Sequence, residues 1–271
     1  MPRLAIIIVT FNSRADIGEC LASLTTNGAI TVDHEIIAVD NASPDGTPAL
    51  IREAWPDVTV IDAGTNLGFA AANNLGIRRS SGELVLLLNP DTVVPAGAID
   101  RLVATLDASG DAAVVGPRLL DAGGCAELSF GHMISPAAEL RQKLLVIGND
   151  RGWPGFRSAV DRMTRQRAQV DWVSGACLLI RRADLEAVGL FDERFFMYTE
   201  DVDLCASVRA RGRTILFEPS AEVVHRRGRS AATAQRLTDR GYRRSQIAFY
   251  EKHLPRWAPA LRAYLRLRGK I

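Results

Sequence analysis

Cysteine is scarce in this sequence, and its spacing excludes two kinds of site. The 271 residues contain four cysteines, Cys20, Cys125, Cys177 and Cys205, and no Cys-x-x-Cys pair. This pattern indicates neither a zinc site nor a disulfide framework. We therefore expect reduced thiols, as in the cytosol.

The sequence also has no long apolar run. No stretch approaches the ~20 apolar residues that a transmembrane helix needs. The run from Leu4 to Val9 lies at the amino terminus and is too short for a signal peptide. We therefore expect a cytoplasmic protein, either soluble or peripheral at the cytoplasmic face of the inner membrane.

A glycine-rich nucleotide loop is missing as well. A nicotinamide-dependent dehydrogenase would carry Gly-x-Gly-x-x-Gly after its first strand, where this chain has Thr10-Phe11-Asn12-Ser13. A sugar nucleotidylyltransferase would need a glycine-rich phosphate loop with Lys or Arg near the start of the chain, and none is present. Neither class of enzyme fits this sequence.

The chain does contain apolar strand-like runs that alternate with helical segments. Leu84 to Leu88 is apolar at every position, which is typical of a strand buried between two layers of helices. Further strands are predicted at 4–9, 35–39, 58–62, 112–116, 170–180, 214–217 and 222–224, with helices at 13–24, 47–55, 69–79, 95–109, 182–188 and 201–211. This alternation predicts an α/β fold with one Rossmann-like, mostly parallel central sheet and helices on both faces.

Polar side chains follow the first two strands. Thr10 and Asn12 come after the first strand, and Asp40 and Asn41 come after the second. These groups could hydrogen-bond a pyrimidine and a ribose, and the plainer interpretation is that they are ordinary turn residues.

A segment rich in small residues and amides precedes the central strand. Asn66 and Gly68 lie in a turn, and Asn73 and Asn74 lie inside the following helix, where asparagine is a poor helix former. Small residues permit close packing on a sheet or a ligand, and paired amides could bind a nucleobase or a phosphate.

The central strand ends at Asn89-Pro90-Asp91. Because proline cannot donate to a sheet ladder, the chain leaves the sheet here and holds two oxygen-bearing side chains at the carboxyl end of the strand. A carboxylate in that place suits a divalent cation that carries phosphate oxygens. His225 follows a later strand and gains significance only if it converges with Asp91 on one metal.

Acidic and aromatic side chains meet at the start of the helix at 201–211. Glu200, Asp201 and Asp203 suit a helix amino terminus electrostatically, and Phe196 and other aromatics precede them. Apolar surroundings raise the pKa of a carboxyl group and make it a better general base near neutral pH.

Two stretches stand outside this pattern. From 121 to 169 the strand–helix alternation weakens into short helical pieces, which indicates a functional insertion. From 226 onward the chain has thirteen basic and two acidic residues. We expect two basic helices there, with either a solvated face or a contact to an anionic membrane through Trp257, Tyr264 and Leu265. No nucleic-acid-binding module accompanies the charge.

Taken together, the motifs resemble those of the inverting family 2 glycosyltransferases with the GT-A fold, especially their rhamnosyltransferase-like branch. The resemblance covers roughly residues 3 to 230. Its matching stretches are Val9 to Asn12, Val39 to Ser43, Asn66 to Gly76, Leu88 to Asp91, Trp172 to Ala176, Phe196 to Asp203, and His225 with Gly228 and Ser230. It implies a GT-A glycosyltransferase domain over 1–230, with an acceptor-side insertion at 121–169 and a basic helical extension at 231–271.

The resemblance also implies roles for single residues. Asp201 resembles the general base, and Asp91 with His225 resembles the ligands of Mg²⁺ or Mn²⁺. Asn89 stands where the first Asp of the family's Asp-x-Asp motif often is, which lowers the negative charge of the site. The implied donor contacts are Thr10, Asn12, Asp40, Asn41, Asn66, Gly68, Asn73, Asn74, Asn89 and Asp91, and the implied acceptor contacts are Trp172, Gly175 and Glu200.

The implied activity is that of a metal-dependent inverting hexosyltransferase in cell-surface polysaccharide synthesis. Its nucleotide-sugar donor would be dTDP-L-rhamnose, and its acceptor would be a saccharide, most simply a lipid-linked one. The alternative is a non-catalytic nucleotide-sugar-binding or scaffold subunit that has kept the fold, and the intact Asp91, Asp201 and His225 argue against it. The sequence leaves the oligomeric state open.

Overall fold

A computed structural model describes residues 1–26, 28–226 and 235–271, with the backbone alone at 235–240. Its strands are β1 (Leu4–Thr10), β2 (His34–Asp40), β3 (Thr59–Asp62), β4 (Leu84–Leu88), β5 (Thr92–Val93), β6 (Ala112–Leu120), β7 (Phe130–Gly131), β8 (Ala168–Val170), β9 (Trp172–Val173), β10 (Cys177–Arg181) and β11 (Thr214–His225). Its helices are α1 (Ile17–Thr25), α2 (Thr47–Ala54), α3 (Phe69–Arg79), α4 (Ala98–Asp107), α5 (Pro136–Asp150), α6 (Phe156–Met163), α7 (Arg182–Ala187), α8 (Glu200–Ala210), α9 (Gln235–His253) and α10 (Ala258–Leu267).

One sheet organises the described chain. Its strands follow the order β3-β2-β1-β4-β10-β6-β11-β5, and β8 pairs with β11 beside this path. β1 is parallel to β2 and β4, β2 to β3, and β6 to β11. β10 is antiparallel to both of its neighbours, β4 and β6. The short strands β5 and β8 are antiparallel to β11. The predicted mostly parallel sheet is confirmed, with β10 antiparallel near its middle.

The two faces of the sheet explain why its central strands are apolar at every position. Alternate residues of a strand point to opposite faces. Ile6 and Ile7 of β1 therefore enter different buried clusters, as do Leu86 and Leu87 of β4. Helices α1, α2 and α4 cover the first cluster, and α3, α7 and α8 cover the second. The predicted layers of helices on both faces are confirmed.

Two predicted strand patterns differ from the structure. The apolar stretch 170–180 is not one strand, because Ser174-Gly175-Ala176 separates β9 from β10. The two short strands predicted at 214–217 and 222–224 are one strand, β11, whose pairing with β6 shifts between Glu218 and Glu222. The first difference matters for the site, because the break lies where β10 begins.

The stretch 121–169 contains more regular structure than the short helical pieces predicted for it. β7 pairs with β9 in a separate small sheet, and α5 follows with 15 residues. α6 then packs closely on α5, since a Cβ added at Gly148 would lie 2.3 Å from Cδ1 of Phe156. We refer to residues 136–163 as the α5–α6 hairpin.

The predicted C-terminal helices are present as α9 and α10, and α9 is part of the packed body. Phe249 and Tyr250 of α9 form a buried cluster with Phe195 and Val202. The expected boundary between 230 and 231 falls at residues 227–234, outside the described residues.

The expectation that Leu265 lies at a membrane interface is wrong. Its side chain is fully buried, whereas Trp257 and Tyr264 are exposed. Leu265 therefore serves the packing of α10. None of the helices in the described part of the chain has the length and apolar character needed to cross a membrane.

Candidate active site

The carboxyl ends of β1, β2 and β4 meet at one edge of the sheet. The register pairs Thr10 with Asp40, and it pairs Ile8 with Leu88 one residue before Asn89. Because these strands are parallel, the polar residues that follow them are brought together, as open α/β sheets do at their ligand sites.

Asp40 is buried, and its carboxylate accepts hydrogen bonds from the end of β1 and from the loop that follows β2. Oδ1 accepts hydrogen bonds from the hydroxyls of Thr10 at 2.9 Å and Ser43 at 2.6 Å, and Oδ2 accepts one from the Ser43 N–H at 2.8 Å. Asn12 is exposed next to this group, with a left-handed φ of 54°, and its N–H donates to Ser43 Oγ at 3.0 Å. These bonds fix the loop that would face a donor.

The turn that carries Asn66 and Gly68 is attached to the end of β2 and to the chain at Phe196. The Asn41 side chain donates to the Gly68 carbonyl at 3.2 Å, and the side-chain Oδ1 of Asn66 accepts from the Gly68 N–H at 3.0 Å. Gly68 has φ 82°, and a Cβ there would lie 2.3 Å from the Phe196 oxygen. Only glycine fits this close approach.

Asn73 and Asn74 are buried in α3 and serve the packing of the protein. The Asn74 amide donates to the Phe191 carbonyl and to Glu193 Oε1, both at 2.9 Å, and accepts from the Phe191 N–H at 3.0 Å. Asn73 donates to the Phe69 carbonyl at 2.9 Å. These bonds offset the poor helix propensity of asparagine, and we leave both residues out of the proposed donor contacts.

Asp91 and His225 converge, as the metal hypothesis requires. His225 Nε2 lies 3.4 Å from Asp91 Oδ1 and 3.5 Å from Asn89 Nδ2. The contact comes from the pairing of β11 with β5, which places His225 opposite Thr92. Gly228 and Ser230, the next residues of the predicted motif, lie outside the described residues.

A third residue of this cluster, Glu127, is missing from the sequence-based expectations. Its buried carboxylate lies 3.2 Å from His225 Nδ1. A turn at Asp121 to Cys125 folds the chain back along β6, and the Glu127 N–H donates to the Leu119 carbonyl at 2.9 Å. Glu127 follows no periodic pattern or motif, so the sequence carries no local signal for it.

The charges around His225 favour its protonated form. Burial alone would lower its pKa, but hydrogen bonds and charges from Asp91 and Glu127 outweigh burial and raise the pKa to about 9. The same arrangement suits a cation, which would replace the proton between the imidazole and Asp91.

The oxygen of Asp91 and the nitrogen of His225 fit a divalent ion whose remaining ligands come from a bound substrate or water. Two octahedral ligands at ~2.1 Å from a metal lie about 3 Å apart, and the Asp91 oxygen and the His225 nitrogen are 3.4 Å apart. Glu127 on the other ring nitrogen would orient the imidazole, as carboxylates do behind metal-binding histidines. Among the described residues no group of three or more His, Cys, Asp and Glu forms a metal cluster, so diphosphate oxygens or water would complete the coordination.

Asp201 lies at the first turn of α8 with its carboxylate held by two backbone groups. Oδ2 accepts from the Gly175 N–H at 2.9 Å, and Oδ1 accepts from the Val202 N–H at 2.8 Å. Burial raises its pKa, and the two N–H groups act in the opposite direction. The side chain is only partly buried, so a substrate hydroxyl could reach it.

Glu200 is the more deeply buried of the two adjacent acids. Its Oε2 has no hydrogen-bond partner among the described residues. Burial, followed by the charge of Asp201, raises the pKa of Glu200 to about 8. A carboxyl group in this state keeps its proton at neutral pH and can donate a hydrogen bond.

The break between β9 and β10 links the two halves of the site. The Ala176 carbonyl accepts from the Asn89 N–H at 2.9 Å, and the Gly175 N–H donates to Asp201 at 2.9 Å. Consecutive Cα atoms lie 3.8 Å apart, so one short segment contacts both the end of β4 and the acid of α8. Trp172 lies just before it, with its indole N–H donating to the His132 carbonyl at 2.9 Å.

Asp203, the third acid of α8, attaches the C-terminal helix to this region. Its buried oxygens lie 2.8 Å from Lys252 Nζ and 2.6 Å from His253 Nε2 of α9. Ser245 of the same helix donates to the Met197 carbonyl at 2.8 Å. Helix α9 therefore supports the segment that carries Glu200 and Asp201.

Comparisons with known proteins point to one family. Residues 5–189 match the sequence profile of glycosyl transferase family 2. The chain is 31% identical over 281 residues to an N-acetylglucosaminyl-diphospho-decaprenol L-rhamnosyltransferase of Mycobacterium tuberculosis, which covers 97% of this chain and 89% of that protein. It is 29% identical over 212 residues to the low-salt glycan biosynthesis hexosyltransferase Agl10 of Haloferax volcanii, a match that covers 76% of this chain and 61% of that protein.

A solved structure shares the fold. A mannosyltransferase from Pyrobaculum calidifontis, determined in complex with GDP-Man and Mn²⁺, superimposes with a TM-score of 0.62 at 20% identity over 97% of this chain and 69% of that chain. At this identity the likeness shows the fold alone. Together with the family match, it confirms the predicted GT-A fold.

Proposed function

Because the chain belongs to glycosyl transferase family 2, we propose that it moves L-rhamnose from dTDP-L-rhamnose to a lipid-linked saccharide in cell-surface polysaccharide synthesis. The name of the mycobacterial relative supports this choice of sugar and acceptor, since it describes rhamnosyl transfer to an N-acetylglucosaminyl-diphospho-lipid. The observation that carries the proposal is the contact of the segment Gly175-Ala176 with both Asn89 and Asp201.

Asp201 is the proposed general base of an inverting displacement. In this reaction the acceptor hydroxyl attacks the anomeric carbon from the face opposite the nucleotide, and the bond to the nucleotide breaks as the new glycosidic bond forms. The proton of the hydroxyl passes to the Asp201 carboxylate. The two backbone N–H groups on Asp201 fix its orientation, while burial makes it more basic than an exposed Asp. Glu200, in its neutral form, would donate to an acceptor oxygen.

Donor binding is assigned to the polar loops after β1, β2 and β4. The proposed contacts are Thr10, Asn12, Asp40, Asn41, Asn66, Gly68, Asn89 and Asp91. Asp91 and His225 would hold Mg²⁺ or Mn²⁺, and the ion would neutralise charge on the departing diphosphate as a Lewis acid. Trp172 and Gly175 would border the acceptor sugar, because both lie on the short stretch of chain whose Gly175 N–H contacts Asp201.

The role of Asp201 is tested by replacing its carboxylate with an amide. We expect Asp201→Asn to lower the rate of transfer by about 10²–10⁴-fold, the range typical of general-base catalysis, while binding of dTDP with Mn²⁺ stays unchanged. Asp107→Asn is the matched control, since Asp107 forms an ion pair with Arg3 away from the site at 2.6 Å. Transfer by the Asp201 variant at the wild-type rate would exclude it as the base.

The same experiments separate an enzyme from a binding subunit. A non-catalytic subunit would bind the nucleotide and show neither transfer nor hydrolysis in its wild-type form. A thermal-shift screen of dTDP-, UDP- and GDP-sugars with Mn²⁺ would identify the donor, and the largest shift is expected with dTDP-L-rhamnose. A larger shift with another nucleotide would contradict the proposed donor.

The metal site has its own test in Glu127→Gln. Replacing an outer carboxylate behind a metal-binding histidine typically weakens metal affinity by about 10–100-fold. We expect a loss of this size in Mn²⁺ titrations followed by electron paramagnetic resonance with dTDP present. An unchanged affinity would mean that Glu127 does not orient an ion-binding His225.

The location of the protein follows from its proposed acceptor. An enzyme that uses a lipid-linked saccharide must reach the membrane surface, so we propose peripheral association at the cytoplasmic face of the inner membrane. The excess of basic residues from 226 onward supports attraction to an anionic surface.

A further inference from the structure

Helix α5 presents an unusual exposed face. Leu140, Leu144 and Ile147 lie at helical spacing on one side, and 61%, 48% and 41% of their surfaces are exposed. Within this helix of 15 residues only Gly148 is buried. Three large aliphatic side chains in water are costly, so this face is suited to a contact with something apolar.

The opposite side of α5 is firmly attached, so the exposed side chains cannot turn inward. Leu145 packs against one of the two main clusters, and the Gln142 amide donates to the Phe130 carbonyl at 3.2 Å. The Asn149 amide donates to the Ala126 carbonyl at 3.1 Å near the other end of the helix. The orientation of the apolar face is thus fixed by the fold.

An exposed tryptophan lies just beyond the end of α5. Trp153 is 40% exposed, and the guanidinium of Arg151 lies 5.8 Å from the centre of its ring. Aromatic rings beside basic side chains are typical of surfaces that lie at the boundary between lipid and water.

The charge around the face is positive. Residues 136–165 contain six basic side chains, Arg141, Lys143, Arg151, Arg157, Arg162 and Arg165, and three acidic ones, Glu139, Asp150 and Asp161. Glu139 is turned toward α9, where it accepts from Tyr250 at 2.9 Å, and Asp161 pairs with Arg118 at 2.6 Å. Glu139 also pairs with Lys143 at 2.9 Å and Asp161 with Arg165 at 2.8 Å. The outward positive charge is therefore carried by the remaining four basic side chains, Arg141, Arg151, Arg157 and Arg162, which are all exposed.

The same helix is linked to the proposed catalytic base by two short routes. The strand before it, β7, pairs with β9, and β9 leads to the Gly175 N–H that contacts Asp201. Glu139 reaches Tyr250, which packs beside Val202. A surface that rests on α5 would therefore lie on the acceptor side of the active site.

From this geometry we propose that the α5–α6 hairpin is the membrane-docking surface of the protein, with Leu140, Leu144, Ile147 and Trp153 resting in an anionic lipid bilayer. The bilayer is favoured over a second copy of the chain for two reasons. Like charges around the face would repel each other in a dimer, and a patch of a few hundred Å² is smaller than the ~800 Å² per partner of a stable interface. The purpose of this docking rests on the proposed lipid-linked acceptor.

The test is co-sedimentation of the full-length protein with vesicles of phosphatidylcholine alone or with phosphatidylglycerol added. We expect binding to the anionic vesicles, and at least a tenfold lower apparent partition coefficient for the triple variant Leu140→Ser, Leu144→Ser, Ile147→Ser. Since these side chains are exposed, the thermal midpoint should stay near that of the wild type. The comparison variant is Tyr264→Ser with Leu267→Ser on α10, also exposed, which should keep its partition coefficient within threefold.

Three results would overturn the proposal. One is equal binding by the triple variant and the wild type, and another is a larger loss in the α10 variant than in the triple variant. The third is a wild-type protein that does not bind vesicles but self-associates through this face, which light scattering would show as a dimer of the wild type and a monomer of the triple variant. Transfer to a short-chain acceptor in detergent is measured in parallel, because its persistence would keep the proposed function even where docking fails.

Discussion

The ion pair between Asp203 and Lys252 predicts how firmly α9 is attached to the helix that carries the proposed base. The Asp203 side chain is 3% exposed and Lys252 is 28% exposed, with 2.8 Å between Oδ2 and Nζ. The other oxygen of Asp203 lies 2.6 Å from His253 Nε2. Replacing Lys252 with Met keeps the aliphatic part of the side chain, leaves the buried carboxylate with one partner fewer and also removes the contact of Lys252 with Asp192 at 2.9 Å.

The expected loss follows from these exposures. Removing one partner of a fully buried pair costs about 3–5 kcal/mol. Lys252 keeps over a quarter of its surface in water, and His253 remains next to Asp203, so we expect Lys252→Met to lower the free energy of unfolding by about 2 kcal/mol. The matched control is Arg52→Met in the exposed pair Arg52–Asp62, which is 2.6 Å long but 47% and 58% exposed. Exposed pairs contribute about 0.2–1 kcal/mol.

The measurement is urea unfolding followed by circular dichroism on a double-mutant cycle with Asp203→Asn. A cycle isolates the interaction of the two side chains from the other effects of each change. We expect a coupling energy of about 1.5 kcal/mol for Asp203–Lys252, against less than about 0.5 kcal/mol for Arg52–Asp62. Equal coupling energies in the two cycles would refute the reasoning, because burial would then make no difference.

Two further changes test the loops around the site. Gly68→Ala should lower the thermal midpoint clearly more than Gly64→Ala. Both glycines have a left-handed φ, 82° and 75°, but only at Gly68 would an added Cβ meet the Phe196 oxygen, at 2.3 Å. Similar midpoints for the two variants would contradict this close approach. Hydrogen bonds from Arg194 hold the pKa of Asp192 well below its usual range, so the ionised carboxylate stabilises the fold at neutral pH and this contribution is lost as the pH falls below about 4. Asp192→Asn should therefore be less stable at pH 7 and lose less stability on acidification, and an acid limb of unchanged steepness would contradict the effect.

The parts of the fold that could be predicted from the sequence are those with strong local signals. The helix from Phe69 to Arg79 and the strand from Leu84 to Leu88 have the predicted bounds. An apolar run on both faces, followed by proline, marks a central strand and its end without knowledge of its neighbours. The resemblance to the GT-A glycosyltransferases added the type of fold, whereas the order of the strands in the sheet was not predicted, because local patterns do not determine it.

The parts that could not be predicted depend on contacts between distant residues. Glu127 lies 98 positions from His225 in the chain, in a stretch with no helical or strand period. The composition of the basic C-terminal segment predicts that its charges face an anionic partner. Lys252 and His253 instead contact Asp203, about 50 positions earlier in the chain. Composition alone does not show that these two side chains face the protein interior.

The break within 170–180 shows that this site depends on the register between β10 and β4. β10 runs antiparallel to β4 with Cys177 opposite Leu88, so the residue before β10 must lie beside the residue after β4, and Ala176 contacts Asn89. A continuous strand would alternate its N–H groups between neighbouring strands, and the Gly175 N–H would not be available to Asp201. Ser174, Gly175 and Ala176 are small enough to let the chain turn there, and a Cβ at Gly175 would already lie 3.3 Å from the Asp201 Cβ. A change that restored a straight strand across these residues would therefore separate the proposed base from the donor end of the sheet, even with every catalytic side chain still present.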